Sequence, residues 1–292
     1  MQVMFHTGVL CTDEDQLVRS LERNRDRLAE QGIDVPRPGQ YRPVISEAVK
    51  NLQADPPNPQ LQATLVDAIA MQENPARMIL SSQTFLGAAP NALIDGVLYP
   101  RATVKSQLLP KLFPEAECEF AFAIRNPATF LPALCARQSE RSFEEMMAGA
   151  DPRRLLWSDL VRRLREASPE VPLTIWCDED TPVIWPEVLR AVAGLPADSP
   201  PLDGGNDRLR DLMSEAGLEK LSSYLETNPP PTPELRRRIV AAFLDKFALE
   251  DAMELELDLP GWTDDLVEEL TDIYEEDAGE IAKMEGVTFL SY

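Results

Sequence analysis

Histidine is almost missing from this chain: 292 residues contain one, His6. A zinc site would have to combine it with Cys11, Cys118, Cys135 and Cys177, which are widely spaced and form no CxxC pair. That pattern speaks against structural zinc and for reduced thiols in a cytoplasm. A Ser-His-Asp triad could use only His6. No apolar run approaches the roughly 18 residues that a spanning helix needs. Met1 to His6 carries no basic stretch and no long apolar one, so no secretory signal is expected. Positive charge is also short. Lys and Arg number 28 against 50 Asp and Glu, leaving a formal charge of −22. Nucleic acid and anionic membrane are therefore excluded as expected partners, because the dominant attraction would have the wrong sign.

What the chain does have is an ordinary globular composition, 44% hydrophobic and 27% charged, and an alternation of short apolar runs with helical stretches. Val3–Phe5, Arg77–Ser82, Glu119–Arg125 and Val171–Cys177 read as buried strands. Helices are expected over Thr12–Gln31 and near Pro43–Gln53, Pro59–Gln72, Val104–Leu112, Ala128–Gln138, Pro152–Ala167 and Pro186–Ala193. Thr12 or Asp13 supplies the first N-cap, Asp13 with Gln16 resembles a capping box, and Gly32 supplies the stop. Strands alternating with helices imply an α/β fold with a parallel sheet and crossover helices on its faces.

The composition changes after Leu195. Pro196 to Gly205 reads as a linker. Residues 1–195 therefore read as an α/β domain and residues 206–292 as an all-helical acidic region. Its helices are expected near Asp207–Glu226, Thr232–Leu249 and Thr263–Met284. From Glu250 to Glu285 fifteen acids face one lysine, Lys283. The stretch reads as a solvated helix face, or as a docking surface for a basic protein partner. Trp157, Trp176, Trp185 and Trp262 read first as core; the first three could also line one side of a pocket. Oligomeric state is not legible.

The junction Phe5 to Leu17 has the layout of a phosphate cradle: a strand, a loop holding Gly8, then a helix N-terminus. Yet the loop offers no lysine and places Asp13, Glu14 and Asp15 where the anion should lie. Each carboxylate at about 4 Å from a phosphate costs roughly 4 kcal/mol at an effective dielectric of 20. The helix dipole contributes perhaps 1 kcal/mol and cannot offset that. The acids instead suit helix capping. Together with Asp178, Glu179 and Asp180 they could alternatively form a cleft for Mg²⁺ or Ca²⁺.

This junction resembles bacterial sulfotransferase-like proteins of the P-loop fold, in which strand one runs into H-x-G-x-x-K-T-G-T-T/S-x-L. His6, Gly8, Thr12 and Leu17 stay in step, as do Asn24-Arg25, Leu28, Gly32 and Pro36 downstream. Ile79 to Phe85 looks like the family's second strand and the polar loop after it. Phe120 to Pro127 looks like the strand and R-x-P turn whose arginine, here Arg125, holds the cofactor's 3′-phosphate. The likeness runs from Met1 to about Gly194.

The resemblance implies sulfuryl transfer from 3′-phosphoadenosine 5′-phosphosulfate to a hydroxyl or amine, with Gly8, Thr12 and Arg125 as cofactor contacts. The departures fall at the working positions. Cys11 replaces the lysine, Asp13 the glycine, and Glu14 and Asp15 the two hydroxyls. Ala133 replaces a serine, and Gln83 stands where a catalytic glutamate is common and cannot take a proton at neutral pH. The expectation is a disabled cofactor loop on a binding or scaffolding protein, with no cofactor. The alternative is an active transferase with His6 as base and Arg125 plus Arg153 or Arg154 as anion clamp. Several convergent cations around the Gly8 loop would favour the second, and a neutral or acidic cleft the first.

Overall fold

A computed structural model describes residues 1–52, 58–138, 141–249, 259 and 261–292. Six strands form one parallel sheet: β1 (Gln2–His6), β2 (Ile33–Asp34), β3 (Arg77–Ser81), β6 (Glu117–Ile124), β7 (Leu173–Cys177) and β8 (Val287–Leu290). A two-residue antiparallel hairpin, β4 (Leu93–Ile94) with β5 (Val97–Leu98), stands apart. The sheet order is β2-β3-β1-β6-β7-β8. The chain leaves β1 toward β2 on one side and later returns to pair β6 on the other. The C-terminal end of β1 is therefore the point where connections diverge, the usual place for a site in an open α/β sheet.

Side chains alternate cleanly across the sheet. Val3 and Phe5, Met78 and Leu80, Phe120 and Phe122 enter one buried cluster, while Met4, Ile79, Ala121 and Ala123 enter the other. Burial on both faces explains why the strands read as apolar runs rather than alternating ones. The first cluster is covered by α3 (Pro38–Leu52), α4 (Pro59–Ile69), α5 (Ala102–Lys111), α6 (Pro127–Arg137), α8 (Trp157–Ala167) and α12 (Asp264–Ile281). The second is covered by α1 (Gln16–Arg23), α2 (Arg25–Ala29) and α9 (Thr181–Ala193). Trp176 and Trp185 lie in this second cluster with the small Ala121 and Ala123, whereas Trp157 lies in the first. The sheet separates them, so these tryptophans do not line one pocket.

Several expectations shift. The first helix begins at Gln16 rather than Thr12, and it breaks at Asn24. The helix expected from Pro152 is a short 3₁₀ turn at Pro152–Arg154 followed by α8. A five-residue helix, α7 (Phe143–Met147), closed by a Ser142–Glu145 capping box, was not anticipated. Gln53 and residues 250–258 and 260, part of the acidic stretch, lie outside the described residues.

The C-terminal region holds α10 (Glu215–Thr227), α11 (Pro233–Phe247) and α12, close to the expected spans. It is not all helical: its last segment becomes β8 and completes the sheet against β7. Tyr274, Ala278 and Ile281 of α12 sit in the same cluster as β1 and β6. Asp277 Oδ2 accepts the Trp157 and Ser158 N–H groups at 2.7 and 3.1 Å, capping α8. The change of composition near residue 195 thus marks a change of architecture within a shared core. The linker is also pinned, since Asn24 donates to the Asp203 carbonyl at 2.9 Å and accepts its N–H at 2.8 Å.

A buried ion pair ties three strands together near the sheet's N-terminal edge. Arg77 is 5% exposed and donates to Glu119 at 3.0 and 3.2 Å, to Gln2 at 2.9 Å and to the Val192 carbonyl. Gly194, with φ +70°, closes α9 over this guanidinium; a Cβ there would lie 2.8 Å from it.

Candidate functional site

The loop from Thr7 to Asp15 joins the C-terminal end of β1 to α1. Gly8 turns it with φ +46°, and a Cβ at this position would meet the Gln83 backbone at 3.0 Å. We expect Gly8→Ala to destabilise the fold by about 1–3 kcal/mol through strain and backbone contact, measurable by urea denaturation. Cys11, Glu14 and Asp15 also have positive φ, at 62°, 48° and 66°. Asp13, at the expected glycine position, does not share this conformation. Three non-glycine residues in the left-handed region within five positions give this loop an uncommon backbone path.

Asp13 is 2% exposed, and its Oδ2 accepts the Leu17 N–H of α1 at 3.0 Å. Its carboxylate therefore covers the helix end that an anion would approach. The expected capping box does not form, because the Gln16 side chain turns to Arg208, accepting from Nη1 at 3.3 Å. Thr12 is buried and turns its hydroxyl back to the Val9 carbonyl at 2.6 Å. The Leu10 N–H donates to the Tyr99 hydroxyl at 3.0 Å. Both contacts hold the loop inward.

Four arginines from four separate elements meet this loop and its neighbour. Arg42 of α3 binds both Asp15 oxygens at 2.7 and 3.0 Å, and this hydrogen bonding holds the Asp15 carboxyl below its ordinary range. Arg137, ending α6, pairs with Glu14 and donates to Gln83 Oε1 at 3.3 Å. Arg125 donates to the Cys11 carbonyl and, through Nε, to Thr129 at 2.9 Å. Arg208, in a 3₁₀ turn at Asp207–Leu209, reaches Asp178 at 3.4 Å and lies over the Trp185 ring. Of these only Arg125 was legible beforehand. The other three are brought in by tertiary packing, and no local spacing marks them. Convergent cations are present, but each is already engaged by a loop carboxylate, a carbonyl or Asp178.

The remaining expected site residues have different surroundings. His6 is 1% exposed, its Nδ1 2.9 Å from Ser81 Oγ and its ring stacked 6.0 Å from Trp176. Burial pushes its pKa below the usual value, against the pull of Asp13 and Asp15. The imidazole is enclosed, and its Nε2 has no hydrogen-bond partner among the described residues. Gln83 is half-buried beside Gly8 and Arg137. Arg153 is held on the surface by Glu269 at 2.8 Å, so it does not complete a clamp with Arg125. Arg154 lines a separate cavity with Arg162 and Arg163.

The two acidic triplets do not form a cation cleft. Asp178 faces Arg208, while Glu179 accepts the Asn126 N–H and the Tyr274 hydroxyl, each at 2.8 Å. Among the described residues no three His, Cys, Asp or Glu side chains gather to hold a metal ion. Asp178 is the most perturbed carboxyl here, raised to about 7 by burial, with Arg208 opposing and Glu179 adding to the rise. Cys11, Cys118, Cys135 and Cys177 are all free thiols. Burial pushes Cys118 and Cys177 up to about 12, so neither is a nucleophile near neutral pH.

Comparison with known proteins adds little to this geometry. No family model matches the chain, and no curated protein does. Among solved structures, a sulfotransferase from Alicyclobacillus acidocaldarius is similar at 13% identity with a TM-score of 0.36. That match covers 90% of this chain and 98% of the other. So loose a likeness carries no weight for function, and the site has to be read from its own contacts. No helix among the described residues is long and apolar enough to cross a membrane.

Proposed function

We propose that this chain is a sulfotransferase-fold protein whose phosphosulfate loop is occupied by its own carboxylates, and that it works by binding or scaffolding rather than by sulfuryl transfer. One observation carries the reading: buried Asp13 accepts the Leu17 N–H of α1, filling the helix end that a donor phosphate would need. The pairs Asp15–Arg42 and Glu14–Arg137 extend the same logic, neutralising cations that transfer chemistry would aim at the sulfuryl group. The acidic face of α12 is the natural surface for a basic protein partner; Glu269 and Glu280 already hold Arg153 and Arg162.

A second reading has one observation in its favour. Three arginines contact the loop and a fourth its neighbour, and an active transferase using 3′-phosphoadenosine 5′-phosphosulfate would need such a set. Titration with 3′-phosphoadenosine 5′-phosphate separates the two. We expect no change in melting temperature at millimolar ligand. A genuine site at 100-fold excess over its dissociation constant would add about 2.7 kcal/mol. Stabilisation of that size, lost in Arg125→Ala, would overturn the binding-protein reading.

A further inference from the structure

A cleft of about 550 Å³ lies on the far side of α9, between its C-terminal half, the 196–206 segment and the turn joining α10 to α11. Its volume falls within the range of small-molecule sites. Pro229, Pro230 and Pro231 form one wall, with Pro186 and Leu225 also lining the cleft. Prolines fix their own backbone torsion, so this wall is set before anything binds. Pro186 and Arg190 sit one helical turn apart and share a face of α9. Arg236 enters from the first turn of α11.

The two guanidiniums are what give the cleft a chemistry. Arg190 donates to the Ala197 carbonyl at 2.8 Å. Arg236 donates to the Val183 and Gly205 carbonyls at 3.1 and 2.9 Å and to Asn206 at 2.7 Å. Among the described residues neither makes an ion pair with a carboxylate, although acids outnumber bases 50 to 28 along the chain. Glu187 also lines the cleft, its Oε1 held by Arg237 at 3.0 Å and its buried Oε2 without a partner among the described residues, and Asp198 lies exposed on the rim. Burial pulls the pKa of Arg236 below its usual value, with Glu187 opposing, as expected of a cation short of countercharge. A planar fork of donors matches carboxylate and phosphate oxygens alike, and the apolar proline wall beside it favours the anion that carries an organic body.

We propose that this cleft binds a small organic carboxylate, its charged end on Arg190 and Arg236 and its apolar body on the prolines and Leu225. The site is independent of the fate of the β1–α1 loop. Benzoate is the probe, with benzyl alcohol and inorganic phosphate as controls, followed by calorimetry on the full chain. Benzoate should saturate one site and bind at least tenfold more tightly than either control. Arg190→Gln should weaken it at least tenfold. Leu225→Trp, which adds bulk to the apolar wall, should abolish binding. Three results would each overturn the proposal: no saturable binding, equal binding of benzyl alcohol or phosphate, or unchanged affinity in Arg190→Gln.

Discussion

Arg77→Ala should lower the free energy of unfolding by about 3–5 kcal/mol, the range for breaking one partner out of a buried ion pair. The side chain is almost fully enclosed and serves four acceptors from β1, β6 and the end of α9. Its removal leaves Glu119, whose side chain is 27% exposed, without its countercharge, and empties the space over which Gly194 closes with its left-handed backbone. Urea denaturation of the single variant measures the loss. The double variant Arg77→Met with Glu119→Gln should recover most of it, because no unpaired charge then remains. If both variants lose the same amount, packing rather than charge is what Arg77 supplies.

Asp178→Asn should act in the opposite direction, and only above about pH 4. Its carboxyl moves from an ordinary 3.8 to about 7 on folding, chiefly through burial. A group raised in this way favours the folded state while protonated. That contribution is complete below about 4 and is lost as pH rises through about 7. The full rise corresponds to roughly 4 kcal/mol, so asparagine, a neutral isostere still able to accept from Arg208, should stabilise the protein by about 3 kcal/mol at pH 8. At pH 4 the two proteins should be nearly equal. Unfolding at the two pH values checks this. A parent protein whose stability does not fall between pH 5 and 8 would show that Arg208 fully offsets the burial.

How much of this was legible depended on whether the cause was local. The strands β1, β3, β6 and β7 were readable because burial on both faces demands unbroken apolar runs such as Phe120–Ile124. β8 was not, since Val287–Leu290 is a short, half-exposed edge with little pattern. The start of α1 was misplaced for an instructive reason. Thr12 and Asp13 obey the statistics of helix caps, and Asp13 does cap the helix, but from three residues before its first turn. Left-handed Glu14 and Asp15 carry the chain between. Carboxylates in the loop were visible as a departure from a cradle. Their partners Arg42, Arg137 and Arg208 were not, because nothing in the sequence near each of them encodes a contact made across the fold.

The position of β8 and α12 bears on how the protein is made. One edge of β7 and the first turn of α8 are completed only by segments more than 100 residues later in the chain: the β8 ladder and the Asp277 carboxylate. Until those residues leave the ribosome, the nascent sheet ends in an open parallel edge, and Trp157 stands at an uncapped helix start. An interrupted chain would expose the kind of surface on which partly folded proteins aggregate, so the α12–β8 segment doubles as a seal for an edge formed long before it.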